Sequence, residues 1–497
     1  MNKFDVVIIG GGLGGLLCGN ILSREGLSVC IIEKNNKIGG CIQSFAKNKT
    51  IFNTGLNYTE SLGKDEVLYQ YFKYFQIIDK LKIQQLDTNA FEKISFEGDE
   101  NEYPFAQGAD NFVDTLSEYF PKEKQNLKKY INTLNEVCQS SIFYSFETTN
   151  HKSTNDYSLI TKASEFLKKS TPDKKLQQIL GGMNSLYAGV ENKTPLYMHA
   201  LINYSFIKSA WRLIDGSSQL ASSISKVITN NGGIIMRSSK VISISGENSE
   251  IEYVELDNKE KILAKKIISN LHPSTTLKLV EQKFNKKAFQ ERVNSLDNTI
   301  GMFSLYIVLK KDKFPYINFN HHHFSETNVW TTNYDEKKWP EHYMLYTPAS
   351  SKSNKWADGL IVMTYMNYND VKKWENSTLE NRGDEYLEFK EKKAELLIDF
   401  IEKKFPDIRN NIECYYSSTP LTYRDYTGTP GGSSYGILKD ADDPLATIIP
   451  AKSRIKNLLF TGQNLNMHGI LGVSISAVLT CSEILGFDYL FDKIKKA

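Results

Sequence analysis

The hydrophobic pattern changes period several times along the chain, and each change predicts an element. Asp5 to Ile9 is a short apolar run rich in β-branched residues, which suits a buried parallel strand. Leu16, Leu17, Ile21 and Leu22 then recur at helical spacing, and Gly26 stands where that helix would end. Ser28 to Ile32 reads as a second buried strand. From about 67 to 210 the spacing is mostly helical, with helices expected over Asp110 to Tyr119, Lys122 to Tyr144 and Ser158 to Lys169. A glycine turn at Gly216 precedes another helix, and strands follow at Ile234 to Met236, Val241 to Ile244 and from Lys266 toward His272. Between 300 and 415, strands at Phe303 to Leu309 and Leu360 to Tyr365 accompany one long helix near Glu385 to Lys404. A strand at Asn457 to Phe460 and a helix bearing Ala477, Val478, Leu479, Cys481, Ile484 and Leu485 come last.

The turn between the first strand and the first helix carries the chemistry. Gly10 permits a tight exit from the strand, Gly12 allows close approach of a pyrophosphate, and Gly15 lets the helix pack on the sheet. Leu13 and Gly14 begin that helix, whose free N–H groups and positive dipole end favour phosphates. Glu33 ends the second strand, where a carboxylate can hold the two hydroxyls of an adenosine ribose. An acid there argues against a 2′-phosphate and hence against NADP. From this stretch alone, FAD and NAD both remain open.

Length and composition narrow the rest. A chain of 497 residues suggests about two domains. A net charge of +2 gives no reason to expect a nucleic-acid partner. The six cysteines, Cys18, Cys30, Cys41, Cys138, Cys414 and Cys481, form no Cys-x-x-Cys pair, so a reducing, cytoplasmic setting is expected. No apolar run reaches the roughly 18 residues of a membrane span, and no signal peptide is expected before the first strand. Phe491 and Ile494, with three lysines nearby, make Asp488 to Ala497 a short surface helix that could touch a membrane peripherally. His321-His322-His323 lies in a region of substrate-domain strand or loop, without a matching Cys, Asp or Glu cluster, so no metal is expected.

A second glycine pair, Gly39-Gly40-Cys41, follows the acid, and a simple NAD dehydrogenase would not need it. The segment from Gly39 through Phe45 to Thr54-Gly55-Leu56-Asn57-Tyr58 resembles the superfamily of phytoene desaturases, carotenoid isomerases and retinol saturases, the last most closely. Asn53 stands where that family shows Asp, and Asn57 where it shows His. The run Phe460-Thr461-Gly462-Gln463, then Gly469-Ile470-Leu471-Gly472-Val473, resembles the family's C-terminus. Trp211 to Leu220, Thr419 to Thr422 and Thr429 to Gly436 also resemble it.

This resemblance implies an α/β fold: a Rossmann-type FAD-binding domain with a mixed α+β substrate domain and helical cap. The FAD domain would combine 1–66, 212–297 and 416–497, and the substrate domain 67–211 and 298–415. FAD would lie against Gly10, Gly12, Leu13, Gly14, Gly15, Glu33, Lys34, Gly39, Gly40 and Cys41. It would also meet Val241 near the adenine, Gln463 near the ribityl chain, and Gly462, Gly472 and Val473. The family implies hydride exchange between flavin N5 and a carbon–carbon double bond of a long apolar polyene or isoprenoid, with saturation favoured. Tyr58 and His468 are the candidate proton donors. Desaturation or isomerisation, a flavin amine oxidase, and a non-catalytic lipid or prenyl escort on the same fold are the alternatives. Oligomeric state is not legible.

Overall fold

The computed structural model describes residues 3–147, 154–247, 250–379 and 381–497. Its first sheet is assembled from distant parts of the chain. The strand order is Ile234–Met236, Val29–Ile32, Lys3–Ile9, Lys261–Ser269, Tyr253–Leu256, Val241–Ser245. The strand Lys261–Ser269 is shared. Lys261–Leu263 pairs antiparallel with Tyr253–Glu255, whereas Ile267–Ser269 pairs parallel with Leu458–Phe460. The parallel strands Val29–Ile32 and Leu458–Phe460 are buried throughout, which is why both read as unbroken apolar runs. Two helices pack side by side on this sheet: Leu13–Arg24 and the C-terminal Gly469–Leu485.

The second sheet runs Ile412–Ser418, Gly301–Leu309, Gly359–Met366, His342–Tyr346, Asn320–Phe324, Glu92–Phe96, Glu102–Phe105. Its side chains alternate between two cores, as a pleated strand requires. Met302, Tyr306, Val308, Met344, Tyr346 and Met363 face the core shared with the first sheet. Phe303, Leu305, Ile307, Leu345, Leu360 and Val362 face a separate core.

The long helix is Asp384–Lys404; Ala394, Leu397, Ile398 and Ile401 pack in the far core, so it backs the second sheet. Three sequence expectations change. The stretch 67–210 is not uniformly helical, because Ile83–Gln85, Glu92–Phe96 and Glu102–Phe105 are strands. Buried Glu92 shares a face with Ile94 and Phe96 and breaks the apolar alternation that would have revealed a strand. The segment Lys122 to Tyr144 divides into Lys124–Gln139 and Ile142–Ser145. The segment Ser158 to Lys169 divides into Thr154–Ile160 and Ala163–Ser170, with Lys162 bridged to Pro195 at the break.

His321, His322 and His323 all lie in one buried strand. Each is occupied: His321 meets Glu102 at 3.3 Å, His322 meets Ser185 at 3.1 Å, and His323 meets Ser95 at 2.8 Å. No group of three residues able to hold a metal occurs among the described residues. The last helix, Phe487–Lys495, turns its apolar side inward: Leu490, Phe491 and Ile494 are buried, and Gln70 donates to the Ile494 carbonyl at 2.6 Å. Among the described residues, no helix is long and apolar enough to cross a membrane.

Candidate cofactor and active site

Three glycine segments far apart in sequence meet above the ends of the parallel strands. The amide of Gly39 donates to the Gly11 carbonyl at 2.7 Å, and Gly12 and Gly39 form a parallel bridge. A Cβ on Gly14 would lie 2.9 Å from the Gly462 Cα and 2.5 Å from the Asn270 Oδ1. A Cβ on Gly15 would lie 2.1 Å from the Gly10 carbonyl oxygen, so the helix can seat on the turn only without a side chain there. The N-terminus of Leu13–Arg24 has no side-chain cap, so its free amides and positive end face this region, whereas the first turn of Gly469–Leu485 gives its Leu471 amide to Glu60.

Glu33 sits at the floor of this cradle and is buried. Its Oε2 accepts from the Gly11 amide and its Oε1 from the Asn35 amide, both at 2.8 Å. Val241 is buried at the start of its strand, and the neighbouring Ser239 amide donates to the Glu33 carbonyl at 3.0 Å. Lys34 is exposed and directs its Nζ to the Asp425 carbonyl at 2.7 Å, away from the glycines. Cys41 is half-exposed by surface area, and its surroundings push the thiol up to about 11, so it stays protonated near neutrality. Gln463 is half-buried. Gly472 and Val473 are buried, and a Cβ on Gly472 would lie 2.7 Å from the Met467 carbonyl oxygen. Asn53 accepts from the Ser217 amide at 2.9 Å and from its hydroxyl at 3.0 Å, pinning the Gly216 turn to the strand Thr50–Asn53. An amide oxygen does this as well as a carboxylate would. Asn57 gives its Nδ2 to the Met363 sulfur at 3.4 Å.

Beside the C-terminal glycine loop lies a cavity of about 110 Å³. Tyr58, Phe206, Tyr346 and Tyr435 supply aromatic walls, Met344, Met363 and Met467 flexible ones, and Gly469 to Leu471 the helix end. The Tyr58 ring packs 4.6 Å from Phe206 and 5.7 Å from Tyr346 between centroids. Burial, then the nearby Glu92 carboxylate, pushes the Tyr58 hydroxyl well above its ordinary ionisation. His468 packs 4.2 Å from the Tyr435 ring and lies 2.9 Å from the Leu186 carbonyl through Nε2. Burial lowers His468 to about 4, so the ring is neutral near pH 7 and donates that N–H to Leu186.

Sequence reasoning missed two residues here. Asn270 wedges between the Gly10 turn and Gly462. Glu60 lines the cavity, accepting from the Leu471 amide at 3.2 Å and from the Thr59 hydroxyl at 3.1 Å. Burial raises its ionisation. A lone acid two residues after Tyr58 gives no periodic or motif signal, and only the fold brings it to the helix end.

The chain matches the NAD(P)-binding Rossmann-like domain family over residues 8–75. It is 26% identical to human all-trans-retinol 13,14-reductase, over 97% of this chain and 86% of that protein. It is 22% identical to 4,4'-diaponeurosporene oxygenase of Staphylococcus haemolyticus, covering 94% of each. Among solved structures, an oxidoreductase from Methanosarcina mazei superposes with a TM-score of 0.66 at 15% identity, covering 96% of this chain and 98% of that one. Wild-type putrescine oxidase superposes at 0.63 with 13% identity, covering 97% and 99%. The structural likenesses agree with the two-sheet α/β architecture. The sequence matches, which span nearly the whole chain, make it similar to the retinol saturase and carotenoid oxidoreductase superfamily, and the chain is an oxidoreductase.

Proposed function

We propose that the protein is an FAD-dependent oxidoreductase that saturates a carbon–carbon double bond of a long apolar polyene. The observation that carries this reading is the meeting of the Gly10–Gly15, Gly39–Gly40 and Gly462 segments over Glu33, beside a cavity walled by aromatic and methionine side chains. The residues fit FAD. The cradle is one that added Cβ atoms would fill, the start of Leu13–Arg24 over it has no side-chain cap, and a buried carboxylate stands where a ribose is held. Gly10, Gly12, Gly14 and Gly15 would flank the pyrophosphate, Glu33 and Val241 the adenosine, and Gln463, Gly472 and Val473 the flavin end. In this reading 1–66, 212–297 and 416–497 form the cofactor domain, and 67–211 with 298–415 the substrate domain. The two large sheets support that division in outline, with Ile412–Ser418 and Ala210–Leu213 running across its boundaries.

FAD bound there supplies the two-electron chemistry. The chain binds the polyene along the aromatic wall, excludes water and manages one proton. A cavity of 110 Å³ is below the roughly 300 Å³ of a usual ligand cleft. Entry of a polyene therefore requires Met344, Met363 and Met467 to change rotamer, which unbranched thioether side chains do readily. Human all-trans-retinol 13,14-reductase and the staphylococcal diaponeurosporene oxygenase support the polyene class by their names. Glu60 favours a second reading: a buried carboxylate in an aromatic cavity suits an ammonium group, as in an amine oxidase.

The test is reconstitution with FAD, then separate addition of polyenes to the reduced protein and of primary amines to the oxidised protein. Reoxidation by a polyene supports saturation. Bleaching by an amine supports the second reading. Failure to retain any flavin overturns both.

A further inference from the structure

Three buried polar atoms behind the cavity wall lack a well-formed hydrogen bond among the described residues: Tyr58 Oη, Glu92 Oε2 and His322 Nε2. They converge on one point. Glu92 and His322 are fully buried on adjacent strands of the second sheet, with Glu92 Oε2 and His322 Nε2 3.1 Å apart. The Tyr58 hydroxyl faces the same carboxylate, and its ring forms part of the cavity wall. Unpaired buried polar atoms are rare, and a cluster of them beside a pocket requires a reason.

The surroundings define how much charge the cluster holds. Glu92 Oε1 accepts from Asn320 Nδ2 at 2.9 Å, and Asn320 Oδ1 accepts from Arg212 Nη2 at 2.6 Å. Arg212 is a buried cation that meets no carboxylate among the described residues. Its other bonds go to Tyr316, Thr347 and the carbonyls of Ile317 and Phe319. Asn320 thus couples one fixed positive charge to Glu92. On the far side, His322 Nδ1 lies 3.1 Å from the Ser185 hydroxyl, which can donate or accept. Tyr346 also faces Glu92, and His321 and His342 are the other titratable groups facing His322.

We propose that Glu92 and His322 form a proton store behind Tyr58, and that Tyr58 carries its proton into the cavity. This rests on the reading of the protein as a polyene saturase. In the loaded state His322 holds both ring protons, one toward Glu92 and one toward Ser185. FAD held in the glycine cradle would, in its reduced form, supply a hydride to one alkene carbon and lose two electrons. Tyr58 gives its Oη proton to the adjacent carbon, so the π bond is replaced by two C–H bonds. Glu92 then hands Tyr58 the proton it receives from His322 Nε2, and the now neutral ring keeps its Nδ1 proton, donated to the Ser185 hydroxyl. The cluster goes from one net positive charge, with Arg212 included, to none, so no unpaired anion is left in the core. A new proton from water reloads it. Tyr58 is the catalytic residue; Glu92 and His322 position and resupply its proton.

The test uses the full chain. Infrared difference spectra compare Tyr58→Phe with the parent, without flavin or substrate. Carboxyl bands are assigned through Glu92→Gln or, should that variant not fold, by isotope-labelled glutamate. The Glu92 band is expected to shift when only the tyrosine hydroxyl is removed; an unmoved band overturns the link. In the FAD-loaded protein, Tyr58→Phe should lower polyene turnover by roughly 100-fold or more. His322→Gln should keep KM but displace the limb of the kcat profile where activity falls as pH rises. A parental pH profile in His322→Gln overturns the store. If no polyene is turned over by the parent, the saturase reading fails, while the infrared result still decides whether Tyr58 and Glu92 are coupled.

Discussion

Glu33 is bound by two backbone amides at 2.8 Å, so it organises the glycine turn and the segment after the second strand together. Glu33→Ala removes a charged acceptor that such amides use at roughly 1.5–3 kcal/mol each. FAD affinity is expected to fall by about 10- to 100-fold, read by flavin fluorescence titration; an unchanged Kd would remove Glu33 from the cofactor site. Gly15→Ala is expected to act through the fold instead. Its Cβ would lie 2.1 Å from the Gly10 carbonyl oxygen, so helix or turn must shift. A loss of roughly 1–3 kcal/mol is expected in denaturant unfolding of the FAD-free protein. At Gly26 the reason for glycine differs: nothing stands within 4 Å of a Cβ there, and it is the left-handed φ of +80° that disfavours a side chain.

At the scale of elements, the C-terminal glycine loop is held by a buried lysine. Lys439 Nζ donates to the carbonyls of Thr447, Asn464 and Leu465 at 2.7, 3.2 and 2.8 Å, and burial lowers its ionisation to about 7. Lys439→Met keeps the volume but leaves three carbonyls without that donor. Faster amide hydrogen exchange through 463–468 and faster FAD release are expected; unchanged exchange would mean the loop is held elsewhere. The glycine segments and their strands were legible in the sequence because their chemistry is local: a turn needs Gly10, a helix start needs Gly15, and a buried parallel strand needs an apolar run. Glu92–Phe96 was not legible, because its buried Glu92 and Ser95 find partners only on Asn320–Phe324, more than 220 positions later. Glu60 reaches Leu471 in the same non-local way, across 411 positions. The orientation of Asp384–Lys404 was hidden because both faces of the second sheet are apolar, and periodicity alone does not say which one a helix covers.

Across the whole molecule, buried histidines set the response to acid. Burial holds His199, His323 and His342 at about 3, and His272 and His468 at about 4. Each is neutral in the folded chain and binds a proton near 6.5 once unfolded. Above 6.5 both states are neutral and the contribution is complete. Below it the unfolded state takes up protons first, and stability is lost as pH falls toward 4. One such histidine amounts to roughly 3 kcal/mol over that window. Unfolding followed against pH should therefore show a plateau above about 7 and a steep fall between 6.5 and 4. A flat profile there would place these rings in contact with solvent. The proposed reduction of a polyene at a bound flavin calls for the same exclusion of water. The most direct test of that chemistry is anaerobic mixing of the photoreduced, FAD-loaded protein with a conjugated polyene. Return of oxidised-flavin absorbance, with loss of polyene absorbance in equal amount and at the same rate, is the expected result. A flavin that stays reduced with every polyene, yet in its oxidised form is bleached by a primary amine, would contradict it.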